Sequence, residues 1–258
     1  MIDTNFCPKV YVINLEQYKE RLNNCINRLN KQNLALERIP AVLGGELTEL
    51  EKSANYSRTL NRTAYHYELS NGEIGCYLSH RKAWEKIAKG DEPYGIVLED
   101  DIELIGDLNL AINTINNLSI DWQVIKLAAY QNRKRKIAHS CNIGNGFELV
   151  VHIKPMTGCA ATAITKDAAI KLLKYSESFG RPVDVDIQHF WEREIYVYSL
   201  LPYPVAQDMS YQSTISGRKV KQEGHFWHRK CQQFKNYFVN KKAVNSQILE
   251  LKNLDIID

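Results

Sequence analysis

The sequence lacks the markers of a secreted or membrane-spanning chain. Its N-terminus, MIDTNFCPKVYVINL, has an acid at position 3 and no long apolar run, so no signal peptide is predicted. No other stretch has the roughly 20 apolar residues that a transmembrane helix needs. The six cysteines form no C-x-x-C pair. We therefore expect reduced thiols and a cytoplasmic location.

Two nucleotide-binding signatures are also missing. No Walker A sequence occurs, and GNGFEL (144–149) lacks the third glycine of a dinucleotide-binding fingerprint. ATP-driven phosphoryl transfer and hydride transfer therefore have no local support. A net charge of +3 is too small to indicate nucleic acid binding, and no nucleic acid partner is predicted.

Positive charge is concentrated near the C-terminus. Between Arg218 and Lys242 the chain has eight lysines and arginines against one acid, Glu223, so the remainder is net acidic. This contrast predicts a main domain at 1–216 and a basic, partly helical segment at 217–258 that packs on it. The segment also contains a weak zinc pattern, without a fourth ligand, at His225, His228 and Cys231.

Strand and helix patterns alternate along the rest of the chain. Residues 55–71 have no clear period and predict a loop, and residues 132–146 predict a mobile loop or hairpin. Strands are predicted at 9–15, 36–42, 94–98, 122–128 and 195–202, helices at 17–32, 48–54, 73–90 and 183–194, and a strand running into a helix capped near Thr165 at 158–176. This order predicts an α/β fold, with a mainly parallel sheet flanked by helices.

Three adjacent acids follow the predicted strand 94–98, namely Glu99, Asp100 and Asp101. Ligands of open α/β sheets bind beyond the carboxyl ends of strands, and clustered carboxylates suit Mg²⁺ or Mn²⁺. Extended backbone would put Glu99 and Asp101 on one face and Asp100 on the other. The acids form either such a cation site or a solvated acidic turn.

A second pair of acids, Asp184 and Asp186, lies where a helix is predicted to begin. One of them is a candidate general base that deprotonates an attacking hydroxyl. For Asp186 the alternative is an N-cap of the helix, and the sequence alone favours that role.

The order of motifs resembles that of bacterial family 25 glycosyltransferases, which act in lipopolysaccharide and lipooligosaccharide synthesis. The resemblance covers residues 9 to about 215. Its motifs are VYVINLEQYKERL, IPAVLGG, NGEIGCYLSHRKAW, GIVLEDD and TGCAATAITKDAAIKLL followed by PVDVDI. The most specific motif is GEIGCYLSHRKAW, followed at its usual spacing by LEDD.

The resemblance implies a GT-A-like nucleotide-sugar-binding fold and an inverting transfer of a hexose, galactose or glucose, from a UDP-sugar. In that interpretation Asp101 and Glu99 are ligands of Mn²⁺ or Mg²⁺, and Asp100 or Glu99 lies near the ribose or the metal. Asp184 aligns with the family's base, and Asp186 is the alternative.

Other residues receive roles from the same resemblance. Asn14 and Arg21 would lie near the nucleotide, although a strand-end cap and a solvated helix face explain them equally well. Glu73, Ser79 and His80 are polar residues on an otherwise apolar helix and are candidates for donor binding. Gly75 is expected to allow close packing of the helix, because it has no side chain.

The implied acceptor is a lipid-linked core oligosaccharide on the cytoplasmic face of a bacterial inner membrane, which the enzyme would reach as a peripheral protein. The C-terminal segment, where basic residues alternate with aromatic ones, is predicted to bind this anionic surface. Two alternatives stay open for the function. One is a non-catalytic module that binds a sugar nucleotide or glycan, and the other is a nucleotidyltransferase that uses the same acids and metal.

Overall fold

The computed structural model describes residues 6–129, 134–211 and 226–252, though not the side chains of 226–229 and 231–233. Its strands are β1 (Lys9–Asn14), β2 (Leu36–Pro40), β3 (Tyr94–Glu99), β4 (Ile102–Leu104), β5 (Val124–Lys126), β6 (Ile137–Asn142), β7 (Glu148–His152), β8 (Ala161–Thr165), β9 (Val197–Leu201) and β10 (Val205–Gln207). The helices are α1 (Lys19–Asn30), α2 (Glu49–Ser53), α3 (Arg58–Ala64), α4 (Asn71–Lys89), α5 (Leu108–Asn116), α6 (Lys166–Tyr175), α7 (Val183–Ile187) and α8 (Phe226–Lys252), with a 3₁₀ turn at Phe190–Glu192.

One eight-stranded sheet forms the centre of the fold, in the order β2-β1-β3-β8-β5-β9-β7-β6. Strands β7 and β8 run opposite to the other six. A small second sheet pairs β10 with β4 antiparallel. Helices α1, α4 and α6 pack on the large sheet. The predicted α/β fold with a mainly parallel sheet is therefore confirmed.

The sheet pairing brings three chain segments to one edge. β1 and β3 are parallel neighbours with Ile13 opposite Glu99, so their carboxyl ends coincide. β8 runs the other way between β3 and β5, and the Glu99 N–H donates to the Ala160 carbonyl at 2.9 Å. The loop that enters β8 therefore meets the acids that leave β3.

Buried apolar strands and a long helix supply the core around this edge. Residues 96–98 of β3 are fully buried, as is Trp84 of α4. α4 begins with a capping box in which the Glu73 carboxylate accepts from the Ser70 N–H at 2.8 Å, and it ends at Gly90. The predicted capping box of Thr48 and Glu51 on α2 is likewise confirmed.

Several elements differ from the prediction. Residues 55–71 contain helix α3 rather than only a loop, because the one buried residue of α3 is polar and leaves no apolar period. That residue, Asn61, donates to the carbonyls of Tyr67 and Gly180. The helix predicted at 183–194 is only the short α7 followed by the 3₁₀ turn. β10 follows the strand that was predicted to be last.

The predicted loop or hairpin at 132–146 falls partly on residues 132 and 133, which lie outside the described residues. The described part is a hairpin, because β6 and β7 are antiparallel and turn through Gly144, Asn145 and Gly146, all with positive φ.

Helix α8 packs against β6 and β7, at one end of the large sheet. Val244 and Leu251 are buried, and the Gln247 amide donates to the Val197 carbonyl at 3.1 Å. The predicted boundary at residue 216 lies outside the described residues, so the division into two units stays a prediction. Within the described residues, no helix is both long and apolar enough to cross a bilayer.

Parts of the C-terminal segment are beyond description. Arg218, Lys219, Lys221, Glu223 and His225 lie outside the described residues. The side chains of Phe226, Trp227, His228, Arg229 and Cys231 lie outside them too. The weak zinc pattern at His225, His228 and Cys231 therefore stays a sequence-based prediction.

Gly75 provides a test of the packing between α4 and the loop that follows β2. A Cβ on Gly75 would lie 2.5 Å from the Val42 carbonyl oxygen and 2.7 Å from the Gly44 nitrogen. Gly75→Ala gains up to about 1 kcal/mol of helix propensity, but overpacking against rigid backbone costs about 1–3 kcal/mol. We expect a net loss of about 1–2 kcal/mol, measured as a lower urea midpoint at unchanged slope.

The matched control is Gly45→Ala. A Cβ at Gly45 has no atom within 4 Å, so the free energy of unfolding should change by less than about 0.5 kcal/mol. Equal urea midpoints for the two variants would contradict the close approach of α4 to this loop.

Candidate active site

The three acids at the carboxyl end of β3 contact three different partners. Glu99 Oε1 lies 3.2 Å from His80 Nε2. Asp100 accepts from Asn14 Nδ2 at 2.6 Å, and Asp101 accepts from Gln207 Nε2 at 2.9 Å. The acids therefore do not form a solvated turn, because each is drawn into the fold by a contact of its own.

Asp100 is the acid whose buried negative charge is most fully compensated. Besides the amide of Asn14, Arg21 lies 3.4 Å from its Oδ1. The guanidinium of Arg21 also lies over the rings of Tyr18 and Tyr211, at 4.6 and 4.8 Å from their centroids. Burial raises the pKa of Asp100, and its hydrogen bond from Asn14 and the charge of Arg21 oppose the rise. Asn14 and Arg21 are thus brought to the site as partners of Asp100.

The negative charge of Asp101 is only partly compensated. The residue is 8% exposed, and its Oδ1 has no hydrogen-bond partner. Burial, followed by the negative charges of Glu99 and Asp100, raises the pKa of Asp101 to about 6. An unpartnered buried carboxylate oxygen is rare in native proteins and requires an explanation. A bound cation would supply both the missing contact and the missing charge.

The predicted residues of α4 have distinct contacts. Glu73 holds the capping box described above. The Ser79 hydroxyl donates to the Gly75 carbonyl at 2.7 Å and accepts from the Val42 N–H at 2.8 Å. His80 is 1% exposed and is directed at Glu99. These contacts fix α4 against the loop after β2 and against the end of β3.

Asp184 is held by backbone donors. Its Oδ2 accepts from the Gly158 N–H at 3.1 Å, and its Oδ1 accepts from the Val185 N–H at 2.8 Å. Gly158 has φ +87, a conformation that favours glycine, and lies in the loop that enters β8. The carboxylate is half-buried, so it is both oriented and reachable.

Asp186 is enclosed by positive charge. It accepts from Arg181 Nε at 2.8 Å, from Arg193 at 2.6 Å and from the Tyr77 hydroxyl at 2.5 Å. Burial raises its pKa, but the two guanidiniums outweigh burial and hold the pKa of Asp186 below its usual range. The N-cap role favoured by the sequence is wrong, because Pro182 occupies the N-cap and Asp186 lies inside α7.

These groups surround one cavity of about 490 Å³, within the range of small-molecule sites. The predicted residues that line it are Arg21, Glu73, Ser79, His80, Glu99, Asp100, Asp101 and Asp184. Asn14 and Asp186 do not line it. A larger cavity of about 750 Å³ beside α2 has two glutamates, but both pair with Arg58. The smaller cavity is therefore the candidate site.

Three further residues at the site were missed from the sequence. Gln207 comes from β10, which was not predicted, and Cys76 adds a thiol to the cavity wall. Lys126 is fully buried on β5; its Nζ donates to the Gly158 carbonyl and lies 3.8 Å from Cys159 Sγ. Only Lys126 left a signal, a charged residue inside the apolar strand WQVIKLA. It supports the loop that binds Asp184.

Comparison with protein-family models identifies one family. A family model described as glycosyltransferase family 25 (LPS biosynthesis protein) matches residues 7–187. A putative glycosyltransferase of Haemophilus influenzae is 30% identical over 220 residues, which cover 81% of this chain and 73% of the relative. Human procollagen galactosyltransferase 2 is 28% identical over 134 residues, 49% of this chain and 21% of the relative, so the match spans about a fifth of that protein. The apo-form glycosyltransferase GlyE of Streptococcus pneumoniae aligns over 95% of this chain and 65% of its own, with 12% identity and a TM-score of 0.42.

Asp101→Asn should make the protein more stable at neutral pH when no divalent cation is present. The folded pKa is raised from 3.8 to about 6, so the wild type loses stability as pH rises through that interval, whereas the neutral amide does not. A shift of this size corresponds to at most about 3 kcal/mol, and we expect a gain of about 1–3 kcal/mol. Urea unfolding across pH should show the gain vanish near pH ~4.

Asp186→Asn is the comparison variant. It leaves two buried guanidiniums without their carboxylate and should cost about 3–5 kcal/mol. If Asp101→Asn fails to raise the urea midpoint at neutral pH, its buried charge is compensated in the cation-free protein.

Proposed function

The chain belongs to glycosyltransferase family 25, and we propose on that premise that it transfers a hexose from a UDP-sugar, with inversion, to a lipopolysaccharide or lipooligosaccharide core saccharide. One observation carries the proposal. A single cavity collects Asp101, whose buried Oδ1 lacks a partner, and Asp184, which backbone donors orient. An inverting transfer needs both a charge-neutralising group and a base.

Asp101 and Glu99 fit a divalent cation such as Mn²⁺ or Mg²⁺. Both line the cavity, both offer carboxylate oxygens, and Oδ1 of Asp101 lacks any other contact. The cation, when bound, acts as a Lewis acid that neutralises the diphosphate. Asp100 holds Arg21 at the cavity wall, where the guanidinium provides a positive charge for the nucleotide. Asn14 acts through Asp100 and is a positioning residue.

Asp184 is proposed as the general base, which takes the proton from the attacking hydroxyl of the acceptor. The N–H groups of Gly158 and Val185 fix its orientation while leaving it half-exposed to the cavity. Asp186 is less suited to this role because both of its oxygens bind buried arginines. We propose that Asp186 positions α7 and, through α7, Asp184.

Either galactose or glucose remains the proposed donor sugar. The human relative is named a galactosyltransferase, which makes UDP-galactose the first donor to test.

The two alternative functions predict different products. A nucleotidyltransferase would release pyrophosphate, whereas a non-catalytic binding module would bind the UDP-sugar and release neither UDP nor pyrophosphate.

The acceptor is proposed to be lipid-linked and to lie at the anionic cytoplasmic face of the inner membrane. Helix α8 supports this proposal through its outer face, defined here as Phe234, Lys235, Tyr237, Phe238, Lys241 and Lys242, all exposed. The rings of Phe234, Tyr237 and Phe238 recur at helical spacing on the exposed surface of α8. Aromatic rings suit a membrane interface, and lysines suit anionic lipid.

Asp184→Asn tests the proposed chemistry. In the presence of Mn²⁺, the wild type should release UDP from UDP-galactose or UDP-glucose when an acceptor saccharide is present, and a chelator should abolish release. Asp184→Asn should lower the transfer rate by about 10²- to 10⁴-fold, the contribution of a positioned base. The affinity for UDP with Mn²⁺, measured by calorimetry, should stay within about threefold of wild type.

Asp101→Asn is the matched variant, because it makes the same chemical change at the proposed metal ligand. It should lose UDP affinity in Mn²⁺ as well as transfer. The base assignment fails if Asp184→Asn abolishes UDP binding. The transfer reaction itself is refuted if pyrophosphate appears in place of UDP.

Replacing Lys235, Lys241 and Lys242 by Gln tests the membrane proposal. Each lysine near an anionic leaflet contributes about 1 kcal/mol, so binding to vesicles of anionic lipid should weaken by roughly 100-fold. The KM for a lipid-linked acceptor should rise, and hydrolysis of the UDP-sugar alone should not change. High salt should mimic the variant, because screening is strong beyond about 10 Å in 0.1 M salt.

The control replaces Lys31, Lys89 and Lys134 by Gln, which removes equal charge from exposed positions outside α8. Vesicle binding should then fall much less. If the two triple variants bind vesicles equally, α8 has only a structural role.

A further inference from the structure

The cavity contains a second set of potential ligands, of which the proposed transfer reaction uses only Glu99. Cys76 and His80 lie four residues apart on α4, and Glu99 ends β3. The Sγ of Cys76, a ring nitrogen of His80 and a carboxylate oxygen of Glu99 all lie within 4.8 Å of one another. All three residues line the cavity.

The fold holds this group in place without a cation. Residues four apart on a helix share one face, so the thiol and the imidazole project together towards β3. His80 is almost fully buried and is held 3.2 Å from Glu99. α4 is fixed in turn by Ser79 and by the close approach at Gly75. Such a rigid backbone suits a site whose ligands must meet at one point.

The ligand types select a particular class of cation. Mg²⁺ and Mn²⁺ prefer oxygen, whereas a thiolate with an imidazole and a carboxylate suits Zn²⁺. Asp101 and Asp184 line the same cavity and add negative charge around the site. Because the ligand of a cation is the thiolate, the Cys76 thiol would release its proton to solvent when a cation binds.

We propose that Cys76, His80 and Glu99 form a site for a thiophilic divalent cation such as Zn²⁺, and that its occupancy inhibits the transferase. Three protein ligands leave a fourth position for water, as in an open zinc site. Inhibition follows because the site withdraws Glu99 from the proposed Mn²⁺ site and fills part of the cavity. The proposed inhibition rests on the proposed function, whereas the proposed cation site does not.

Co²⁺ is the probe for the site, because a thiolate ligand gives it an intense charge-transfer absorption in the near ultraviolet. The 258-residue chain, without substrate, should show this band on addition of Co²⁺, and Zn²⁺ should displace the Co²⁺. Cys76→Ser should remove the band while keeping a similar side-chain size. Cys76→Ala serves as a second variant, and unchanged urea midpoints exclude unfolding.

Two control variants locate the thiolate. Cys7→Ser removes an exposed thiol outside the cavity, and the band should persist. Cys231→Ser tests the sequence pattern His225, His228 and Cys231. If the band follows Cys231, or if Co²⁺ binds without a thiolate band, the proposed site is wrong.

The transfer assay supplies the second measurement, which tests inhibition by Zn²⁺. Zn²⁺ should inhibit Mn²⁺-supported UDP release in the wild type, and Cys76→Ser should raise the inhibitory Zn²⁺ concentration by at least about 10-fold. Inhibition that is equal in both proteins overturns the inhibitory role. A thiolate band in a protein that transfers no sugar would refute the proposed function while leaving the cation site intact.

Discussion

Charge repulsion among three consecutive carboxylates at the end of a buried strand governs how this site is built. Glu99, Asp100 and Asp101 cannot all be ionised in a poorly solvated place unless each is compensated. The fold separates them, since Asp100 receives an amide and a guanidinium and Glu99 faces an imidazole. The uncompensated charge is thereby concentrated on Asp101. A bound cation would compensate this charge, with Glu99 as the second carboxylate ligand proposed above.

The second pair of acids shows a similar division between an acid that is held by side chains and an acid that faces the cavity. Asp186 is saturated by two arginines and a tyrosine, which anchor it. Asp184, two residues away, binds only backbone N–H groups and faces the cavity. In each cluster one carboxylate is matched by cationic side chains while its neighbour is not. The matched acid can stabilise the geometry in which the unmatched acid operates.

Much of this arrangement was predictable because it depends on local sequence. β1, β3 and the end of β3 follow from apolar runs that stop at polar residues, and parallel pairing then brings Asn14 near Asp100. The contact between Tyr77 and Asp186 was not predictable, because the two residues are 109 positions apart and no local pattern links them. The same holds for Gln207 beside Asp101. α3 escaped prediction since its buried residue is an asparagine.

Helix α4 explains why the motif GEIGCYLSHRKAW is so specific. It contacts the loop after β2, the end of β3 and α7. These contacts are Gly75 against Gly44, Ser79 to Val42, His80 to Glu99 and Tyr77 to Asp186. Tyr77 and His80 lie three residues apart and reach different acids. The helix therefore acts as a rigid spacer between the proposed metal acids and the proposed base. The proposed inverting transfer requires those groups at a fixed separation, which the contacts of α4 maintain.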